Sequence, residues 1–397
     1  MNRQRYKVVF NQRRGEPMAV AENASGTSGA SGATGSSACS AHSGAPAPAL
    51  KFSLLAVALA MAMNTVVAHG QIYSDRNAPG NQQPTVLSSA NGVPVVNVQT
   101  PNTAGVSVNA YRQFDVGANG AILNNARTPT QTQLGGHVQG NPWLATGTAR
   151  VIVNQVNSPN PSYLRGYVEV AGDRAQVVIA NPAGITCSGC GFVNANRVTL
   201  TTGSPVVSGI GLEAYRVAGG TVTVDGAGMD ASGTEYADII ARAVNINAGI
   251  WAQSLKITAG LNTVSADQAS ITPGVAANGA APGVAIDVAQ LGGMYASHIY
   301  LSSTEHGVGV RNAGMIGAAA GDAVVTVDGR LENSGTLSAN QTLLARAAEA
   351  VVNTGTIGAN GATTLTAGAL DNRGNLGSAQ ADTTVSVAGT LDNSGTL

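Results

Sequence analysis

Five short segments near the C-terminus decide the fold: RNAGMI (311–316), LENSGTL (331–337), VNTGTI (352–357), LDNRGNL (370–376) and LDNSGTL (391–397). They place Asn at 312, 333, 353, 372 and 393, at intervals of 21, 20, 19 and 21 residues, with Gly two positions after each Asn. A fixed period of about 20 residues marks a solenoid, in which each coil hides its apolar face only by stacking on the next. At a repeated corner, Asn and Gly supply turn or left-handed geometry. A repeated Asn can also form a hydrogen-bonded ladder between coils.

Upstream, the same texture continues without the strict period. RVIVNQV (150–156), YVEVAG (167–172), QVVIAN (176–181), RVTLTTG (197–203), TVTVDG (221–226) and LKITAG (255–260) each alternate two or three apolar positions and close on a turn residue. Alternation over so few residues means short strands with one buried face. Composition agrees: 51 Gly, 4% aromatic and 10% charged residues suit narrow coils, and helices poorly. The expected class is all-β, a parallel β-helix of roughly 20 residues per coil. Spread over everything after Ala68, that period predicts about 16 coils, a rod on the order of 75 Å at about 4.8 Å per coil.

Residues 1–68 differ from the rest. Arg3, Arg5, Lys7, Arg13 and Arg14 precede a Gly/Ser/Ala spacer, Lys51 and the apolar run FSLLAVALAMAMNTVVA (52–68). Its uninterrupted apolar core is about half the roughly 20 residues a spanning helix needs. The run reads as a cleavable signal peptide cut between Ala68 and His69; a membrane anchor or a basic tail are the alternatives. After residue 68, 14 basic and 19 acidic residues remain, a formal net charge of −5. Nucleic acid is therefore not an expected partner. The chain also stops inside a repeat, so it is expected to be the N-terminal part of a longer protein.

One stretch carries possible chemistry: ANPAGITCSGCGF (180–192). Asn181 suits position i of a turn, Pro182 position i+1 and Gly184 position i+3, and Ala183 at i+2 selects type I over type II. Cys187 and Cys190 are the two cysteines after the leader, which holds Cys39. In an exported chain they are expected as a local disulfide across Ser188-Gly189. A redox pair would want a βαβ context, and zinc a four-ligand set. No cofactor or metal is expected.

The ordered series VPVVNVQTPNTAGVSVNAYRQFDVGANGAILNNA (93–126), GNPWL (140–144), ARVIVNQVNSPNPSYLRGYVEVAGDRAQVVIANPAGI (149–185) and GFVNANRVTLTTG (191–203) resembles the secretion domain of filamentous haemagglutinin. That family comprises two-partner secretion exoproteins, contact-dependent growth inhibition proteins among them. The N-terminus resembles their extended signal peptide region, and the 20-residue repeats resemble haemagglutinin repeats. The resemblance implies a right-handed parallel β-helix, divided into a leader (1–68), a secretion domain (69–310) and the first repeats (311–397). It implies passage through the general secretion translocon to the periplasm of a Gram-negative bacterium, then recognition by an outer-membrane transporter with POTRA domains. The product would be secreted or held at the cell surface, with distal regions reaching a receptor on a host or neighbouring cell.

Two family motifs linked to secretion fall on Asn141-Pro142-Trp143-Leu144 and Asn181-Pro182-Ala183-Gly184-Ile185. Where the family has Asn at the third position, this chain has Trp143 and Ala183. The Asn-Pro pairs carry over, and a role for that third Asn does not.

Other signals are weak. Gly226-x-Gly228-x-x-Ala231 nominally fits a dinucleotide fingerprint but opens no convincing helix. Asp225, Asp230, Glu235 and Asp238 suit a cation or paired carboxylates, and read more simply as acidic turn residues. Two functions stay open: a non-enzymatic secretion domain and stalk of an adhesin or toxin carrier, or a carbohydrate-active enzyme on a β-helix. The second needs converging carboxylates.

Overall fold

The computed structural model describes residues 71–397 and the backbone of two paired strands in the leader, Tyr6–Asn11 and Glu16–Ala21. The expected cleavage point at Ala68 and His69 and the rest of the leader lie outside the described residues. Among the described residues, no helix is long and apolar enough to cross a membrane.

Parallel strands stack into three faces. The first runs through Val106–Phe114, Val151–Val156, Ala175–Ala180, Ala195–Thr201, residues 236–241, residues 254–259, His298–Ser303, Ala323–Val327, residues 343–347, residues 363–367 and Thr383–Val387. The second joins Pro94–Asn97 and Ala121–Asn125 to Asn375–Ser378, and the third joins Ser162–Leu164 to Leu391–Asn393. The result is a parallel β-helix.

Each face sends alternate residues inward, where they stack in columns. Leu331, Val351, Leu370 and Leu391 form one column, Ile316, Leu337, Ile357 and Leu376 a second, and Val325, Ala345, Leu365 and Val385 a third. Leu331, Val351, Ile357 and Leu365 are at most 1% exposed. Burying one such side chain contributes about 1.5–3 kcal/mol, so the shared columns, rather than any single coil, hold the stack together. The period-two sequence pattern is the pattern of these columns.

The first face counts eleven strands, not sixteen, and at about 4.8 Å per step spans about 48 Å. The estimate from length fails because much of the chain leaves the helix. Thr130–Thr132 and Gly136–Val138 form an antiparallel hairpin. Ser204–Ser208, Gly211–Arg216, Asn262–Ser265 and Ile271–Pro273 form a separate four-stranded antiparallel sheet. That sheet covers the outer side of the first face, enclosing a second core of Val106, Val153, Val178, Tyr215, Ile240 and Val264. Strands such as VIVNQV and QVVIA, apolar on successive residues, are buried on both sides for this reason.

At the N-terminal end, Ile72–Ser74 pairs antiparallel with Val106–Phe114 and closes the open strand edge. Tyr111 and Phe114 beneath it are fully buried and meet edge to face at 4.9 Å.

The repeated Asn residues form the ladder that their spacing suggested. Nδ2 of Asn312 donates to Oδ1 of Asn333 at 2.7 Å, and Asn333 to Asn353, Asn353 to Asn372 and Asn372 to Asn393 at 2.8 Å each. The second N–H of each goes to a backbone carbonyl, of Thr336, Thr356, Asn375 and Thr396 in turn. Of the two geometries the sequence suggested at these corners, a turn or a left-handed residue, the glycines two positions on do not take the left-handed one; none of them has a positive φ. Instead a Cβ on Gly335, Gly355, Gly374 or Gly395 would strike the carbonyl oxygen of the glycine one coil before, far inside contact distance. They are required by close approach of the backbones, not by φ.

Candidate functional site

The two Asn-Pro motifs adopt closely related turns. Asn141 caps the short 3-10 turn Pro142–Leu144. Its Oδ1 accepts from the backbone N–H of Trp143 at 3.0 Å, and its Nδ2 donates to the carbonyls of Val98 and Asn124 at 2.8 and 2.9 Å. Proline fits at the first turn position because its missing N–H would have no partner there. Leu144 anchors the turn in the core at 1% exposure, while Trp143 stays 44% exposed.

Asn181 repeats the device. Its Oδ1 accepts from Ala183 N at 2.9 Å, and Nδ2 donates to Asn160 O and Ser162 Oγ, both at 2.9 Å. Gly184 N closes the turn onto Asn181 O at 3.0 Å. Ala183 has no positive φ, which excludes type II. Gly184 does, at +116°, and Ile185 after it is buried as the chain enters the third face. Each carboxamide thus replaces three contacts that water would make, and both are buried, Asn141 at 3% and Asn181 at 0% exposure.

The third position of both motifs, Trp143 and Ala183, points outward to solvent. That explains in physical terms how the chain carries such different residues there: the turn is held by the Asn before the proline, not by the residue after it.

Sequence reasoning missed the neighbours that position the first turn. Asn124, buried at 1%, donates to Asn97 Oδ1 and Gln139 O, and Asn125 donates to the carbonyls of Ala149 and Asp173. The Asn-Asn pair closing AILNN was the available signal, since paired carboxamides at a strand end have backbone groups of two neighbouring segments within reach.

Cys187 and Cys190 are bonded to each other, with Cα atoms 5.3 Å apart. Cys187 lies in the third face beside Leu164 and Val224, and Cys190 in the second beside Met229. The bond crosses the corner between the two faces, where Gly189 bends the strand at φ +86°. Both sulfurs belong to the main core.

The remaining candidates do not converge. Gly226, Gly228 and Ala231 lie inside the long strand Thr221–Ala241, which no helix follows. On that strand Asp230 accepts from Tyr167 and Ser232, and Glu235 pairs with Arg174 at 2.8 Å. Asp238 is not a turn residue: it sits in mid-strand, 1% exposed and ion-paired with Arg197. Among the described residues, no three His, Cys, Asp or Glu side chains cluster as metal ligands.

A capped β-helix with a buried Asn ladder, a corner disulfide and acids that do not converge defines a β-solenoid scaffold. Comparison with known proteins narrows the class. The family model for the TPS secretion domain matches residues 70–333, that for the extended signal peptide of type V secretion systems residues 1–50, and that for the haemagglutinin repeat residues 318–395. The chain is 51% identical over 358 residues to "Toxin CdiA" of Yersinia pestis, covering 90% of this chain and 11% of that protein. It is 46% identical over 340 residues to "tRNA nuclease CdiA-2" of Burkholderia pseudomallei, covering 84% and 11%. The crystal structure of the filamentous hemagglutinin secretion domain matches at a TM-score of 0.58 and 31% identity, over 82% of this chain and 99% of that one.

The chain belongs to the TPS secretion domain family. It is exported across the periplasm, to the cell surface or the medium, and its family role is secretion rather than catalysis. It spans about a tenth of the length of the relatives named above.

Proposed function

We propose that the Asn141-Pro142 and Asn181-Pro182 turns are the export signal of this domain, read before the domain folds. The observation that carries this reading is burial. With both carboxamides saturated and at most 3% exposed, no receptor can reach them in the folded domain. In an extended chain they are free.

The general secretion translocon delivers the extended chain to the periplasm after cleavage between Ala68 and His69. POTRA domains of a dedicated outer-membrane transporter then bind it by strand addition, pairing backbone to backbone. As coils form outside, Asn141 and Asn181 are withdrawn into their turns, and each new coil stacks on the last. Low charge and few large side chains favour passage in extended form. In this reading residues 1–68 are the leader, 69–310 the secretion domain and 311–397 the start of a stalk. Distal regions carry an adhesin or toxin toward a receptor on another cell.

Replacing Asn141 and Asn181 together by Ala tests the assignment. The extracellular amount should fall severalfold while synthesis stays constant; normal secretion of the double variant would refute it. The alternative of a carbohydrate-active enzyme finds no support in the acids of Thr221–Ala241, of which Asp230, Glu235 and Asp238 are engaged with separate partners and Asp225 has a buried Oδ1 without one.

A further inference from the structure

The outward side of the second face carries a row of aromatic rings along the axis of the β-helix. Backbone pairing sets Tyr167 beside Gly191, Gly191 beside Asp230, Asp230 beside Trp251 and Trp251 beside Tyr295. At about 4.8 Å per coil the row spans about 19 Å. Its three rings are open to solvent, Tyr167 at 37%, Trp251 at 43% and Tyr295 at 42% exposure. Asp230 fills the step between Tyr167 and Trp251, and its Oδ2 accepts from Tyr167 Oη at 2.8 Å.

Glycines beneath the rings make them lie down. A Cβ on Gly191 would strike the ring of Tyr167, one on Gly249 the ring of Trp251, and one on Gly293 the ring of Tyr295. None of these three glycines has a positive φ, so what they supply is room. The Cβ position of Gly293 is 2.7 Å from both Cε2 and Oη of Tyr295 and 2.8 Å from Cζ. Near-equal distances to three successive atoms put it beneath the ring face and not at the ring edge. The planes of Trp251 and Tyr295 are within 16° of parallel, with centroids 6.2 Å apart. One face of each ring therefore covers backbone, and the other is turned to solvent.

We propose that this row binds a neutral β-1,4-linked glycan laid along the helix axis. The electron-rich face of an aromatic ring attracts weakly positive hydrogens, and the C–H face of a pyranose presents a flat patch of them. A β-1,4-linked chain is an extended ribbon that turns alternate rings over, so it can follow a straight, flat row. An α-1,4-linked chain curls off such a plane. Ser232 and Gln253, two residues beyond Asp230 and Trp251 on the same strands, are both exposed at the margin of the row and offer hydrogen bonds to the sugar hydroxyls. Asp230 is the one charged side chain in the row, and its carboxylate disfavours an anionic chain. A peptide fits less well. Strand addition needs a free edge and helix docking a groove, whereas the strands of Tyr167, Trp251 and Tyr295 are paired on both sides.

Calorimetric titration of the secreted chain with cellohexaose and chitohexaose tests the site, beside maltohexaose as the α-linked probe and a polygalacturonate fragment as the anionic one. At least one β-1,4-linked probe should bind with millimolar or better affinity, and both comparison probes at least tenfold more weakly. Trp251→Ala and Tyr295→Ala should each weaken binding at least tenfold, while Trp251→Phe, which keeps a ring face over Gly249, should retain most of it. Thermal unfolding of the three variants checks that they remain folded. Absence of binding by both β-1,4-linked probes, equal or tighter binding of maltohexaose or polygalacturonate, or unchanged affinity in both Ala variants would overturn the proposal.

Discussion

Asn181 donates to Ser162 Oγ at 2.9 Å, and both residues are fully buried. The contact ties the turn to the first strand of the third face. Asn181→Ala would strip partners from Ser162 Oγ, Asn160 O and Ala183 N at once. With about 1–3 kcal/mol per buried group left unpaired, partly relieved by water, a loss of about 3 kcal/mol is expected. Pro182→Ala touches no such bond and should change stability by less than about 1 kcal/mol. Urea unfolding of the secreted variants measures both.

The ladder makes a graded expectation. Asn353 receives from Asn333 and donates to Asn372 and Asn375 O. Asn353→Ala should therefore destabilise by about 3 kcal/mol. Asn360 donates to Asn340 Oδ1 at 2.9 Å on the exposed surface, and Asn360→Ala should cost under about 1 kcal/mol. Equal effects at the two positions would mean that the ladder does not act through buried polar satisfaction.

Gly355 is held by contact with the Gly335 carbonyl. Gly355→Ala must push two coils apart, and a loss of about 2–3 kcal/mol is expected. Gly80 has open space around it and no positive φ, so Gly80→Ala should be neutral; thermal unfolding measures both variants.

The Cys187–Cys190 bond closes a very short loop, for which the chain-entropy relation gives roughly 2 kcal/mol. The double Cys→Ala variant should lose about that much in urea unfolding while its export remains at the parent level. Ready iodoacetamide labelling of both thiols in the secreted parent chain, without reductant, would show that no bond forms.

Acid should loosen the N-terminal cap. The Asn157 side chain donates to Asp75 at 2.9 Å and the Asn77 backbone at 3.0 Å, and these bonds hold the Asp75 carboxyl below the ordinary carboxylate range. Asp322 is lowered likewise by Thr342. A carboxyl with a depressed folded value stabilises above its unfolded value, near pH 4, and that contribution fades as pH falls through the lower folded value. The unfolding midpoint should be flat between about pH 5 and 7 and drop below about pH 4, and Asp75→Asn should shrink the drop.

The β-helix was legible because its period is covalent: Asn312 to Asn393 recur at the spacing of one coil, and the columns follow. The Asn-Pro turns were legible too, since proline and an Asx side chain fix local geometry. The extra-helical sheet was not. SPVVSGIGLEAYR reads as one more pair of strands, and its partner 262–273 is distant in sequence, so only the doubly apolar strands VIVNQV and QVVIA hinted at a second covered surface. The contact that requires the stacked glycines was hidden for a similar reason: a close approach from a neighbouring coil leaves no local mark. Asp238 read as a turn residue because its partner Arg197 lies on a different strand.

The central claim is that Asn141 and Asn181 are read in the extended chain and hidden in the folded one. Capture by immobilised periplasmic domains of the transporter tests it most directly. Chain freshly diluted from urea should be captured, fully folded chain should pass through, and the Asn141→Ala/Asn181→Ala chain should pass through even when freshly diluted. Capture of the folded chain as strongly as the unfolded one would contradict the account.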